Sequence, residues 1–276
     1  LEIGDQRDIQ AHTNQQMRGY TRFTRVASLA PFQLSGGDAA VREPARVGLS
    51  LLHAVGLSWD ESLEAVQRYT PAQREILRVQ LERRIGCVET TSMGRFLDAC
   101  AALLGVRQVV SHEGQAAIEM EQLAHRFAPV PGTEATRTHD ASFRFDVEVG
   151  PDGRLLMVSR SVLERLLAAR RAGEDRAAIA FSLHVAIAEA MVRVAVDARD
   201  RFGAMPVGVT GGVFQNRLLS QLACDGLRAQ GFTVLTHRLV PANDGGLALG
   251  QALIAMHTHL DQTPDGSPSP MFSQRP

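Results

Sequence analysis

Pro206-Val-Gly-Val-Thr-Gly-Gly-Val-Phe-Gln-Asn216, answered further on by Asn243-Asp-Gly-Gly246, decides the fold. The first stretch reads as a short buried strand over 207–210, a glycine turn at Gly211 and Gly212, and a helix from Asn216 to Gln230 that Gly231 ends. Phe232 to Thr236 is the next strand and Gly246 to Met256 the next helix. Two strands separated by a helix form a parallel pair. Their C-terminal ends open on one edge, where ligands sit in open α/β sheets. Both glycine turns lie on that edge, so bare backbone N–H groups and Asp244 can hold an anionic nucleotide or a metal there.

Upstream the pattern is mainly helical. Gly36-Gly37-Asp38 precedes Pro44, and Val47, Leu51, Leu52 and Val55 repeat at helical spacing until Gly56. Residues 58–69 and 72–85 read as two more helices, the second with Ile76, Leu77, Leu81 and Ile85 on one face. Thr91 and Ser92 offer an N-cap for a helix from Met93 to Leu104, which Gly105 stops. After the turn Ser111-His-Glu-Gly114, a helix runs from Gln115 to Phe127, and Pro129, Pro131 and Gly132 break it. Alternation from Phe143 to Val149 predicts a half-buried strand, with Leu155 to Val158 as its hairpin partner. Helices over 161–172 and 176–199 follow. The second is Ala-rich, with Phe181, His184, Ile187 and Met191 on one face.

Composition narrows the chemistry. The 276 residues suit one large domain or two lobes, and 45% hydrophobic residues allow a sizeable core. A net charge of −1 supplies no strong field to gather nucleic acid. All 29 basic residues are arginine, which excludes a phosphate-loop lysine and a Schiff-base lysine. Cys87, Cys100 and Cys224 form no CxxC pair and read as reduced thiols of a cytoplasmic protein. No apolar run has the ~18 residues of a membrane span, and no secretory leader is evident. Residues 1–16 are polar and without period. The tail 261–276, with four prolines and three serines, is expected to be disordered.

Each candidate site residue carries two readings. Gly211 and Gly212 serve either a tight β-α turn or a close approach of a nucleotide. Asp244 serves either as a helix N-cap or as a hard oxygen ligand for a divalent cation. Asp98, amid Phe96, Leu97 and Cys100, must face a partner or a cleft, with a ribose diol and an arginine as candidates. Asn216 can hydrogen-bond a sugar or a base edge. His184 on its apolar face reads as a satisfied core imidazole. Neither HxxxH, HExxH nor GxSxG occurs, which gives no support to a zincin or an α/β-hydrolase.

Five segments in order carry a resemblance: Leu34 to Pro44, Thr91 to Gly105, Glu113 to Ala117, Gly211 to Leu219 and Asn243 to Gly250. Together they resemble the HypF-type carbamoyltransferases of [NiFe]-hydrogenase maturation, in the C-terminal part of the TsaD-like domain. The likeness implies an α/β fold of the ASKHA class (the actin, hexokinase and Hsp70 architecture), mainly its second lobe, over residues 17–260. The β-α-β-α unit would stand at its C-terminal end, with several added helices. It implies binding of carbamoyl-adenylate, made from carbamoyl phosphate and ATP, and transfer of the carbamoyl group to the C-terminal cysteine thiol of a HypE-like acceptor protein. A homodimer is a second candidate partner.

By position, the resemblance gives Asp98 the ribose, Gly114, Gly211 and Gly212 the lining of the nucleotide, Asn216 a contact to it, and Asp244 a place as ligand of a divalent metal (zinc, iron or magnesium). No residue stands out as a catalytic base. The family's HxxxH metal pair and its adenylate-forming region have no counterpart here, so the chain reads as a fragment of such an enzyme. Carbamoyl transfer to tRNA or a small molecule, and a non-catalytic docking role, are the alternatives.

Overall fold

The structure, a computed structural model, describes residues 2–4, 23–128 and 139–262. Most of the polar segment 1–16, the break at Pro129 to Gly132 and nearly all of the tail 261–276 lie outside the described residues. The chain runs β1 (Glu2–Gly4), β2 (Phe23–Arg25), β3 (Ala27–Leu29), β4 (Phe32–Ser35), α1 (Asp38–Arg42), α2 (Pro44–Ala54), α3 (Glu64–Gln67), α4 (Pro71–Arg83), β5 (Cys87–Thr90), α5 (Met93–Leu103), α6 (Gln115–His125), β6 (Asp146–Val149), β7 (Leu155–Val158), α7 (Arg160–Arg171), α8 (Arg176–Phe202), β8 (Val207–Val209), α9 (Arg217–Ala229), β9 (Val234–Thr236) and α10 (Leu247–Gln262). One-turn 3-10 segments, Gly212–Gln215 and Asp244–Gly246, precede α9 and α10.

The architecture is mixed α/β, as expected. β8 and β9 pair in parallel, Val207 opposite Val234, with α9 between them and α10 after. The hairpin β6–β7 is antiparallel, and β7 also takes β3 as a parallel neighbour. β4 pairs antiparallel with β5, and β1 with β2. These strands of three or four residues are too short to show a period, and β2 to β5 escape a sequence reading for that reason.

The core lies between α2, α5, α6, α8 and α9, with Leu49, Leu52, Phe96, Leu103, Met120 and Ile187 wholly buried. The rings of Phe96 and Phe145 meet at 5.4 Å between centroids. α8 is long and apolar enough to cross a membrane by length and composition, yet 72% of its apolar window is buried inside the protein.

Three local expectations are corrected. Only Glu64–Gln67 of the expected helix 58–69 is helical. Asp60 Oδ1 accepts from the N–H and the hydroxyl of Ser62 at 2.9 and 2.7 Å, a local turn that competes with helix. On α4, Leu77 and Leu81 are buried, but Ile76 and Ile85 are exposed. Ile76 sits about 100° round from Leu77, and the left-handed Arg84 at φ 55° ends the helix before Ile85. The strand expected from Phe143 starts at Asp146, because Asp140 Oδ1 holds Ser142 in a turn just before it.

Gly105 closes α5 at φ +77°, and a Cβ there would lie 2.6 Å from Arg170 Nη1 and 2.7 Å from Glu64 Oε1. Those groups tie α3 to α7 and α8, through Arg170 to Glu64 at 2.7 Å and Arg176 to Glu64 at 3.0 Å. Gly105→Ala is expected to lower the unfolding free energy in urea by about 1–3 kcal/mol, combining left-handed strain with a displaced ion pair. An unchanged midpoint would contradict that reading.

Candidate functional site

Four chain segments converge on one cavity of about 880 Å³, within the roughly 300–1,000 Å³ usual for small-molecule sites. α5 brings Arg95 and Asp98, the start of α6 brings Gly114, Ala117 and Glu121, the 3-10 turn brings Gly212 and Val213, and the second turn brings Asn243 and Asp244. Of the residues singled out from sequence, Asp98, Gly114, Gly212, Asn216 and Asp244 all line it, and Gly211 adjoins it in the same turn.

Local chemistry explains the convergence. Ser92 caps α5, its Oγ accepting from Arg95 N–H at 3.3 Å. Gly114 caps α6 in a left-handed conformation at φ +74°. Gly211 has φ +105° and ψ 154°, a region that only glycine occupies readily. Its N–H donates to Ala242 O at 2.7 Å, which fastens the two glycine turns side by side.

Asp98 is 3% exposed. Its Oδ2 lies 3.0 Å from Arg95 Nη2, and the carboxylate accepts from the backbone N–H of Ala117. Burial raises its pKa from 3.8 to about 6, Glu113 adds to the rise, and Arg95 and the Ala117 N–H offset only part of it. Arg95 is thus the partner that one reading of the sequence required, and Asp98 is also among the residues that line the cavity.

The helix start before α9 differs from expectation. Glu121 Oε1 accepts from the N–H of Arg217 at 2.7 Å and of Leu218 at 3.2 Å. Asn216 Oδ1 accepts from Leu219 N–H at 2.8 Å. The end of α9 therefore holds the protein's own oxygens and is no anion seat. The backbone N–H groups of Gly212 and Val213, just before it, have no acceptor among the described residues, and both residues line the cavity.

Asp244 is not the cap of its turn. Asn243 Oδ1 takes that place, accepting from Gly245 N–H at 3.1 Å, and leaves the Asp244 carboxylate exposed at the cavity mouth. Among the described residues no group of three His, Cys, Asp or Glu side chains is placed to hold a metal ion. Those residues do not by themselves fit a metal centre, and Asp244 is a lone donor. A smaller hollow of about 340 Å³ lies elsewhere, beside Arg46, Arg68 and Tyr69. Its groups are already engaged with Glu43, which accepts from the Tyr69 hydroxyl at 2.8 Å and from Arg46 at 3.4 Å.

Arg95, Glu113 and Glu121 were not singled out from sequence as site residues. Glu121 carried a usable signal: Gly114, Ala117, Ile118 and Glu121 share one helical face. His184 is wholly buried and satisfied, Nδ1 against Ala180 O at 2.7 Å and Nε2 against Asn216 Nδ2 at 3.0 Å, as a core imidazole should be. Cys100 and Cys224 are buried free thiols, while Cys87 is half-buried.

Residues 17–251 match the family model of the carbamoyltransferase Kae1-like domain, second subdomain. The probable carbamoyltransferase HypF of Methanocaldococcus jannaschii is 30% identical over 84% of this chain and 28% of its own length. The carbamoyltransferase HypF of Rhodobacter capsulatus is 38% identical over 86% of this chain and 28% of its own. A full-length HypF solved in the phosphate- and nucleotide-bound form superposes with a TM-score of 0.75 at 29% identity, over 89% of this chain and 30% of that one. The chain thus spans under a third of the length of these relatives.

The Asp98 shift has a definite sign. A carboxyl whose folded pKa is raised adds no instability below pH 4, where it is protonated folded or unfolded, and destabilises increasingly as pH climbs from about 4 to 6. Asp98→Asn removes that slope. Its unfolding free energy relative to wild type is expected to improve by roughly 3 kcal/mol between pH 4 and pH 7 in denaturant titrations. A flat or opposite difference would show that Asp98 is not desolvated.

Proposed function

Since the chain belongs to the HypF carbamoyltransferase family, in the second subdomain of the Kae1-like domain, we propose that its cavity holds the nucleotide part of carbamoyl-adenylate. The observation that carries this reading is the meeting of Asp98, Gly114, the Gly211-Gly212 turn, Asn216 and Asp244 around one cavity of about 880 Å³. The bound nucleotide in the HypF neighbour supports it. Asp98 would accept from the ribose hydroxyls, with Arg95 keeping it ionised. The N–H groups of Gly212 and Val213 would meet the phosphate or the carbonyl oxygen.

For the whole protein we propose transfer to the C-terminal cysteine of a HypE-like acceptor. The acceptor thiolate attacks the carbamoyl carbon, a C–S bond forms, the C–O bond to phosphate breaks, and AMP leaves with the electron pair. This chain's residues bind and orient the adenylate. Among its described residues no group of three His, Cys, Asp or Glu side chains is placed to hold a metal ion.

Electrostatics favour an adenylate over a triphosphate. One guanidinium, Arg95, faces Asp98, Glu113, Glu121 and Asp244 in the cavity lining. Carbamoyl-adenylate carries a single phosphate charge, and ATP several.

The test is calorimetric titration of the chain with AMP and ATP. AMP is expected to bind more tightly than ATP in metal-free buffer, the gap narrowing when magnesium is added. A Cβ on Gly212 would only touch Asn243 Cβ at 3.9 Å, so a larger side chain there narrows the cavity at little cost to the fold. Gly212→Val is expected to weaken AMP by about tenfold or more, the loss of one good interaction, without moving the urea midpoint. Absence of adenine-nucleotide binding, or a valine variant that binds as wild type does, would overturn the assignment.

A further inference from the structure

We propose that His184 is a positioning residue for the nucleotide site: its unprotonated Nε2 holds the Asn216 amide so that one Nδ2–H faces the cavity as a fixed donor. The inference rests on the reading of the cavity as a nucleotide seat and deepens it, by assigning the ligand atom opposite Asn216 as a hydrogen-bond acceptor.

The argument is one of hydrogen-bond direction. At one end stands a backbone carbonyl, Ala180 O, 2.7 Å from His184 Nδ1. A carbonyl only accepts, so Nδ1 carries the proton and Nε2 a lone pair. At the other end stands a backbone N–H, that of Leu219, 2.8 Å from Asn216 Oδ1. An N–H only donates, so the amide oxygen points there and the nitrogen faces His184 Nε2 at 3.0 Å. Main-chain groups thus set the polarity of the whole relay from both ends.

Burial acts in the same direction. The imidazole is wholly buried and its pKa is held below the ordinary value by desolvation, which the bond to Ala180 O and the influence of Glu121 oppose and that of His125 reinforces. The lone pair on Nε2 is therefore kept at neutral pH.

An amide nitrogen carries two hydrogens. His184 takes one. The other has no acceptor among the described residues, and Asn216, 9% exposed, lines the cavity. The cavity therefore meets a donor that cannot rotate away. Such a donor selects an acceptor, a phosphate, ribose or carbonyl oxygen or an adenine ring nitrogen, and rejects a ligand N–H at that point.

The experiment uses the whole 276-residue chain with AMP as probe. Nitrogen-15 spectra of the histidine rings read the tautomer, and calorimetry reads affinity in wild type, His184→Leu, His184→Gln and Asn216→Asp. The wild-type ring is expected to be protonated on Nδ1 alone. His184→Leu should weaken AMP by about tenfold, while His184→Gln, whose amide oxygen can accept the same bond, should stay within about threefold of wild type. Asn216→Asp keeps the cap but offers only acceptors, so it should draw a proton onto His184 Nε2. That signature needs no leucine variant to fold.

A wild-type ring protonated on Nε2, an unchanged ring in Asn216→Asp, or a glutamine variant as weak as leucine overturns the inference. Wild type binding AMP with His184→Leu equally tight overturns the inference alone. Wild type binding no adenine nucleotide, with the tautomer as stated, overturns the reading of the cavity and the inference with it.

Discussion

The carboxylate of Glu121 on the first two N–H groups of α9 is the bond on which the site depends. It joins positions far apart in the chain, on α6 and on the helix after the glycine turn. A charge-assisted hydrogen bond to a helix start is worth on the order of 1.5–3 kcal/mol, and the helix dipole adds to it. Because the bond fixes α6 against α9, the face of α6 that begins at Gly114 is held opposite the Gly212 turn. The bond from Gly211 N–H to Ala242 O then adds the Asp244 turn to the same wall.

This arrangement also decides what the cavity can bind. The usual anion seat at a helix start is filled by Glu121 and Asn216, which leaves the N–H groups of Gly212 and Val213, just before it, without an acceptor among the described residues. The remaining charged groups are mostly acidic. A nucleoside end with its hydroxyls and a lightly charged phosphate matches that lining, and a bare triphosphate does not. Buried Asp98 adds to that acidic lining at a cost to stability: desolvation raises its pKa to about 6, and Arg95 and the Ala117 N–H offset only part of the rise.

Much of this was legible in the sequence. The β-α-β-α unit was readable because glycines stand at the turns Gly211-Gly212, Gly231 and Gly245-Gly246 and short runs rich in valine, leucine and phenylalanine lie between them and the helices. Asp98 was readable as a carboxylate on an otherwise apolar helix. The family resemblance rested on five motifs in order and holds across residues 17–251. Other parts were not legible, for identifiable reasons. Strands of three or four residues have no measurable period. Asp60 and Asp140 redirect the backbone through side-chain bonds to Ser62 and Ser142 that propensity does not register. The role of Glu121 was not legible, since the N–H groups it caps lie on a helix almost a hundred positions away. Asn216 looked like a ligand group, and its cap and its bond to His184 emerged only from the packing of α8 against α9.

The central claim is that one cavity, built from α5, α6 and the two glycine turns, is the adenine-nucleotide seat. Photolabelling with 8-azido-AMP, followed by mass spectrometry of the peptides, tests it most directly. The account predicts adducts within 92–98, 112–121 and 211–216, all suppressed by excess AMP. Adducts confined to other surfaces, such as the hollow beside Arg46 and Tyr69, or labelling that AMP does not suppress, would contradict it.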